Sequence, residues 1–240
     1  MKKARYANVD GDLVDPVEFV SRAPANYRDR HIFPYCDACH QIVHVYGVNT
    51  PNPDTVPRFD HANLLPDADP LDDCVLANRT DRFRGMEPDY YDDVQGELLR
   101  EQFLESDNLK MAYAFCLVLC GTGNLPKSKF RSMLRRADKK RIWSYAGIQV
   151  WAIPYILLTL EDFIAVNKSG KEYGFHFVFK KRRGSNVSAI WNNTYPCALI
   201  KLYADSGNPV INAHPLPVSQ AELIRKAGIS SWVKLEGLIP

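Results

Sequence analysis

An α+β fold follows from the way the apolar pattern changes along the 240 residues. Up to about residue 90, apolar residues come in short alternating runs between loops rich in proline and aspartate. From residue 92 to 142 they recur at helical spacing, and beyond residue 170 short β-type runs return before a final short helix. A third observation concerns Cys36 and Cys39, which are separated by two residues and so form half of a metal site. Zinc then requires two further Cys or His ligands for a closed tetrahedron. Together these predict an N-terminal zinc ribbon of short strands and long loops in a domain of residues 1–90. Residues 91–240 are expected to supply central helices followed by a strand-rich basic part.

In chain order, residues 5–9 predict a strand that turns at Asp10-Gly11-Asp12 and returns through Leu13-Val14. Asp15-Pro16 is a helix start, with a carboxylate cap and proline in the first turn, for a short helix over residues 17–22. The Cys-x2-Cys follows, then a strand over residues 41–46. Residues 50–73 hold five prolines and six aspartates, which predicts extended loop around one strand at residues 56–61. His61 and Cys74 are the candidate partners of Cys36 and Cys39. Their spacing, Cys36-x2-Cys39-x21-His61-x12-Cys74, suits a ribbon, because no pair of histidines stands three to five residues apart on a helix as a finger would need. His40 and His44 are substitutes for Cys74 should that loop run elsewhere.

These residues carry a resemblance. The order of hairpin, helix, Cys-x2-Cys, strand, Arg58-Phe59-Asp60-His61 and Cys74 resembles the amino-terminal zinc ribbon of the CoiA-like proteins, with Arg58 where that family has its first histidine. The whole chain is similar to zinc-ribbon proteins of enterobacterial mobile elements, in which stretches like Leu76-Ala77-Asn78-Arg79 and Trp151-Ala152-Ile153-Pro154 recur. The resemblance implies work on DNA and a bacterial mobile genetic element as the setting. Full-length CoiA-like proteins add a nuclease-like domain, whose acidic residue and E-x-K strand hold magnesium. The strand over residues 173–179 offers histidine and aromatics instead.

Helices are expected from Asp92, as cap, through Phe103, and from residue 109 to Cys120, stopped by Gly121 and Gly123. Cys116 and Cys120 share one face of the second, which reads as core rather than as a metal or redox pair. Gly121 to Ser128 is close to a P-loop, but Pro126 stands where that loop needs glycine and lacks the N–H that cradles phosphate. The next helix is the most basic element, with Lys127, Lys129, Arg131, Arg135, Arg136, Lys139 and Lys140 opposing an apolar side of Phe130, Met133 and Leu134. Residues 142–160 carry no charge; the length suits a membrane span, but their polar residues and a mean hydropathy of −0.28 for the chain favour a buried core helix. Strands are expected at residues 173–179, 198–203 and 209–212, and Ser219-x-x-Glu222 opens the last helix.

Charge divides unevenly. Residues 1–126 carry 12 Lys+Arg against 21 Asp+Glu, net −9, and residues 127–240 carry 18 against 7, net +11. A basic half with a second patch at Lys180-Lys181-Arg182-Arg183 suits DNA or another polyanion, with Trp191, Tyr195 and Tyr203 as stacking faces. The competing expectation is that the two halves neutralise each other, and a protein partner replaces DNA. His176 and His214 are bases without a paired nucleophile, so no complete catalytic constellation is read. The thiols and the lack of an apolar leader point to the cytoplasm. The function expected is that of a zinc-binding, non-enzymatic DNA-associated accessory protein. A protein-binding regulator and a diverged nuclease are the alternatives.

Overall fold

The structure, a computed structural model, describes residues 1–50, 54–61, 69–77, 81–83, 85–121, 123–167, 169–182, 185–192 and 195–239. It is an α+β protein whose chain divides into two compact units, Met1–Arg84 and Gly85–Pro240. The expected boundary at residue 90 moves earlier for a physical reason. Lys181 Nζ donates to Gly85 O, Val187 N to Glu87 O (3.5 Å) and Ala146 N to Tyr90 O (3.1 Å), so residues 85–90 are tied to the second unit.

The first unit is built from five strands and one helix among the described residues. Strands β1 (Ala4–Tyr6), β2 (Leu13–Val14) and β3 (Pro34–Tyr35) form an antiparallel sheet in the order β2-β1-β3. The first strand ends sooner than expected because Ala7 turns into the left-handed region (φ 62°). Helix α1 (Pro16–Arg22) starts as its sequence predicts: Asp15 Oδ1 accepts from Glu18 N at 2.8 Å, satisfying one of the free amides of the first turn. Strands β4 (His44–Tyr46) and β5 (Arg58–Asp60) pair antiparallel, with Val45 opposite Phe59. Both are shorter than expected, and Ile42 makes only an isolated bridge to Tyr35. Phe19 of α1 is fully buried between Tyr6, Tyr27 and Phe59, with ring centroids 5.5, 5.5 and 6.2 Å away. Reciprocal bonds of 3.1 and 2.9 Å between Met1 and Phe59 backbones fasten the chain start to β5.

In the second unit, α2 (Asp93–Leu104), α3 (Ser106–Cys120) and α4 (Lys127–Lys139) pack with α5 (Ile153–Thr159) and α6 (Gln220–Ala227) beside an antiparallel sheet. That sheet runs in the order β6 (Asp162–Val166), β7 (Glu172–Lys180), β8 (Ala198–Tyr203), β9 (Leu216–Pro217). Asp92 caps α2 by accepting from Gln95 N at 3.0 Å, and Gly121 (φ 94°) stops α3 as its sequence predicts. Cys116 and Cys120 are buried, Cys116 Sγ lying 3.7 Å from Pro154 O.

Two expectations are corrected here. Residues 142–160 are buried but are not one helix: short 3-10 turns at Ile142–Ser144 and Val150–Ala152 flank Gly147 (φ 71°), and Pro154 in the first turn of α5 starts a helix of only seven residues. Among the described residues no helix is long and apolar enough to cross a membrane. Residues 209–212 do not form a strand, contributing only a bridge from Pro209 to Leu202, while β6 and β9 take the sheet positions that the sequence reading left unassigned.

Candidate metal centre

Cys36 follows β3, and its N–H donates to Gln41 O (2.8 Å) while its carbonyl accepts from His40 N (2.9 Å). This pair of bonds closes the loop 36–41 into a tight knuckle. His40 takes a left-handed φ of 59°, which reverses the chain directly after Cys39. Arg5 Nε on β1 holds the knuckle from below through Asp37 Oδ1 at 2.6 Å. His61 is delivered from the other sheet, one residue past β5. Cys74 arrives after a 3-10 turn at Pro70–Asp72, capped by Asp69 Oδ1 accepting from Leu71 N (2.9 Å). Buried Leu71, Val75 and Ala77 pin that segment on either side of the thiol.

The four side chains converge. Cys36 Sγ is 3.7 Å from Cys74 Sγ, Cys39 Sγ is 3.3 Å from His61 Nε2, and all four ligand atoms lie within 4.8 Å of one another. Neither His40 nor His44 belongs to the group. Cys36 is fully buried and the others are half-buried. Two sulfurs also receive backbone amides in the same local manner: Leu76 N, two residues on, donates to Cys74 Sγ at 3.4 Å, and Gln41 N–H, two residues on, favours the Cys39 thiolate. Amides aimed at sulfur stabilise the deprotonated form that binds metal.

Proton affinities in the cluster are strongly perturbed. Hydrogen bonds from Cys36 and Cys74 draw the Cys39 thiol far below its ordinary range, against its desolvation. Hydrogen bonding to Cys36 and Cys39 pushes Cys74 the other way. Burial disfavours a charged His61, yet its hydrogen bonds to Cys36 and Cys39 outweigh that and raise it to about 9. Groups packed this closely compete for protons, and a divalent cation satisfies all of them at once. Three thiolates and one imidazole fit a tetrahedral metal with soft and borderline preferences, such as zinc.

The basic residues singled out from sequence have varied placements. Arg135 and Lys139 are exposed on α4 and Arg131 is half-exposed. Lys127 Nζ donates to Lys234 O (2.9 Å) and Glu236 O (2.5 Å), and Lys129 Nζ to Asp162 O (2.6 Å). Arg136 donates to Leu160 O (3.1 Å) and pairs with Glu161 at 2.6 Å, while Lys140 is buried. Lys180 is exposed at the end of β7, Lys181 is bound to Gly85 O and Ser185 O, and Arg182 lies 4.5 Å over the Tyr195 ring. Arg183, with Asn78 and Arg79, falls outside the described residues. Of the proposed stacking faces, Trp191 is buried, Tyr203 packs on Tyr173 at 5.4 Å, and Tyr195 is exposed.

The charge division takes a different form in the structure. Residues 1–84 carry 10 Lys+Arg against 13 Asp+Glu and residues 85–240 carry 20 against 15, because eight acidic residues between Glu87 and Asp107 share a unit with the basic helix. One of them, Asp93 of α2, takes Arg141 just past α4 at 2.6 Å, and α4's own Asp138 takes Arg100 of α2 at 2.7 Å. No family model, no curated protein and no solved structure matches the chain.

Proposed function

We propose that the chain is a zinc-stabilised, non-enzymatic protein that associates with DNA through its second unit. The observation that carries the zinc is the convergence of Cys36, Cys39, His61 and Cys74 from three separate segments to within 4.8 Å. Four protein ligands complete a tetrahedron and leave no position for water, so bound zinc supplies folding energy to the first unit and no Lewis-acid step. Cys36 and Cys39 hold it from the knuckle, His61 from the end of β5, and Cys74 from the loop after residue 70.

The DNA reading is supported by a concavity of about 610 Å³ on α4 that Lys129, Arg131, Arg135 and Arg136 line with Ser128, Ser132 and Glu161. Exposed Arg135 and half-exposed Arg131 present guanidinium groups suited to phosphate oxygens. The similarity to CoiA-like zinc ribbons and to proteins of bacterial mobile elements leads to the same class of partner. Binding to single- and double-stranded DNA across a salt series, followed by a magnesium-dependent cleavage assay, tests it. Steeply salt-dependent binding without cleavage is the expected result. Absence of binding transfers the reading to a protein partner, and cleavage transfers it to a diverged nuclease.

A further inference from the structure

Glutamine is scarce in this chain: there are five, Gln41, Gln95, Gln102, Gln149 and Gln220. Four of them line one cavity of about 460 Å³ in the second unit, although they come from α2, the 147–150 loop and the start of α6, and Asn108 of α3 joins them. Among the described residues no charged one lines the cavity, in a chain of which 24% is Asp, Glu, Lys or Arg. Its remaining wall is apolar, with Leu99, Ile148 and Leu223 buried and the Trp151 indole half-exposed.

The carboxamides retain hydrogen-bonding capacity. Asn108 Nδ2 donates to Gln102 O (2.8 Å) and Gln149 Nε2 to Gly147 O (3.1 Å), which leaves both amide oxygens as acceptors. Among the described residues, the carboxamides of Gln95, Gln102 and Gln220 make no hydrogen bond, only the backbones of Gln95 and Gln102 being engaged. Each carboxamide offers a donor and an acceptor side by side, the pattern that pairs in two-point fashion with the edge of a nucleobase. An indole beside apolar side chains supplies the stacking face that an unstacked base requires. The volume lies within the roughly 300–1,000 Å³ of small-ligand sites, and the lack of charge disfavours phosphate, carboxylate or amine ligands, whose charges would be left unpaired.

We infer that this glutamine-lined cavity is a binding site for an uncharged nucleobase or nucleoside, such as a base splayed out of a single strand. The inference deepens the nucleic-acid reading and rests on it for the choice of ligand. The site takes the base, while phosphates remain with the cationic surface of α4.

The test is calorimetric titration of the full-length chain with adenosine, guanosine, cytidine and thymidine, with a neutral disaccharide as comparison and DNA binding measured in parallel. Nucleosides have no phosphate, so their binding reports on the cavity whether or not the chain binds DNA. Saturable binding of at least one nucleoside is expected, weakened about tenfold or more by Gln95→Ala with Gln102→Ala, as loss of a two-point contact to a base implies. Both positions are exposed on α2, and circular dichroism checks that the fold is kept. No binding of any nucleoside, binding indifferent to these substitutions, or a preference for the disaccharide overturns the inference.

Discussion

Cys39 Sγ and His61 Nε2 lie 3.3 Å apart across 22 residues of sequence, one on a tight knuckle after β3 and the other just past β5. The strands that deliver them are two or three residues long, too short to fix a register by themselves. A bond shared at the site therefore stabilises the meeting of the two sheets. Chelation should unfold the first unit while the helices of the second persist. Thermal melts followed by far-UV circular dichroism are expected to show loss of one transition on chelation, and a chelated chain that melts unchanged contradicts this.

Gly96 of α2 sits against the turn that follows α4. A Cβ there meets Ser144 Oγ at 2.5 Å and Ser144 Cα at 2.9 Å, and the latter is backbone that does not swing aside. Gly96→Ala ordinarily gains roughly 1 kcal/mol of helix propensity. Overpacking of roughly 1–3 kcal/mol opposes that gain. Net destabilisation is expected in urea titrations, and a stabilised variant would mean that the turn yields.

Arg136 differs from Arg135 although the two are adjacent. Arg136 pairs with Glu161 at 2.6 Å with side-chain exposures of 14% and 11%, whereas Arg135 is exposed and bonds only Ser132 Oγ, at 2.9 Å, among the described residues. Arg136→Ala leaves Glu161 buried without this partner and should cost about 3–5 kcal/mol. Arg131→Glu with Arg135→Glu should keep the fold, weaken DNA binding uniformly across sequences and flatten its dependence on salt. Equal destabilisation by Arg135→Ala and Arg136→Ala would contradict the distinction.

Burial raises Cys120 to about 12, Tyr155 to about 12 and Cys197 to about 11. In the unfolded chain these groups release their protons near 9 to 10, so the folded state binds more protons in between. Their contribution to stability is complete below about pH 9 and is lost as pH rises through 11 to 12. The second unit should therefore lose stability over that window, and Cys120→Ala should make the loss shallower. A denaturation midpoint that stays level from pH 9 to 11 opposes this assignment.

Much of the fold was legible where a single local rule decides the outcome. Asp15, Asp92 and Ser219 mark helix starts by accepting from amides three residues on, Gly121 N–H donates to Leu117 O at the end of α3, and all four act as read. Even there the capping box is half formed: Ser219 Oγ accepts from Glu222 N, while the Glu222 carboxylate turns to Arg225. The uncharged stretch 142–160 misled because composition reports burial, not backbone path, and Gly147 and Pro154 break it. β6 alternates exposed Asp162, Ile164 and Val166 with buried Phe163 and Ala165, a pattern written in the sequence but adjoining the apolar run that masked it. The four residues of the candidate metal site were legible from the spacing of their Cys and His, because few residue types bind zinc. The glutamine cavity was not, since its members are neutral, far apart in sequence and ordinary one by one.

Metal content measured on the purified chain and on single substitutions decides whether Cys36, Cys39, His61 and Cys74 hold zinc. One zinc per chain is expected, with loss of tight binding in Cys36→Ser, Cys39→Ser, His61→Ala and Cys74→Ser and retention in His40→Ala and His44→Ala. A chain without zinc, or zinc that survives Cys36→Ser combined with Cys39→Ser, would contradict it.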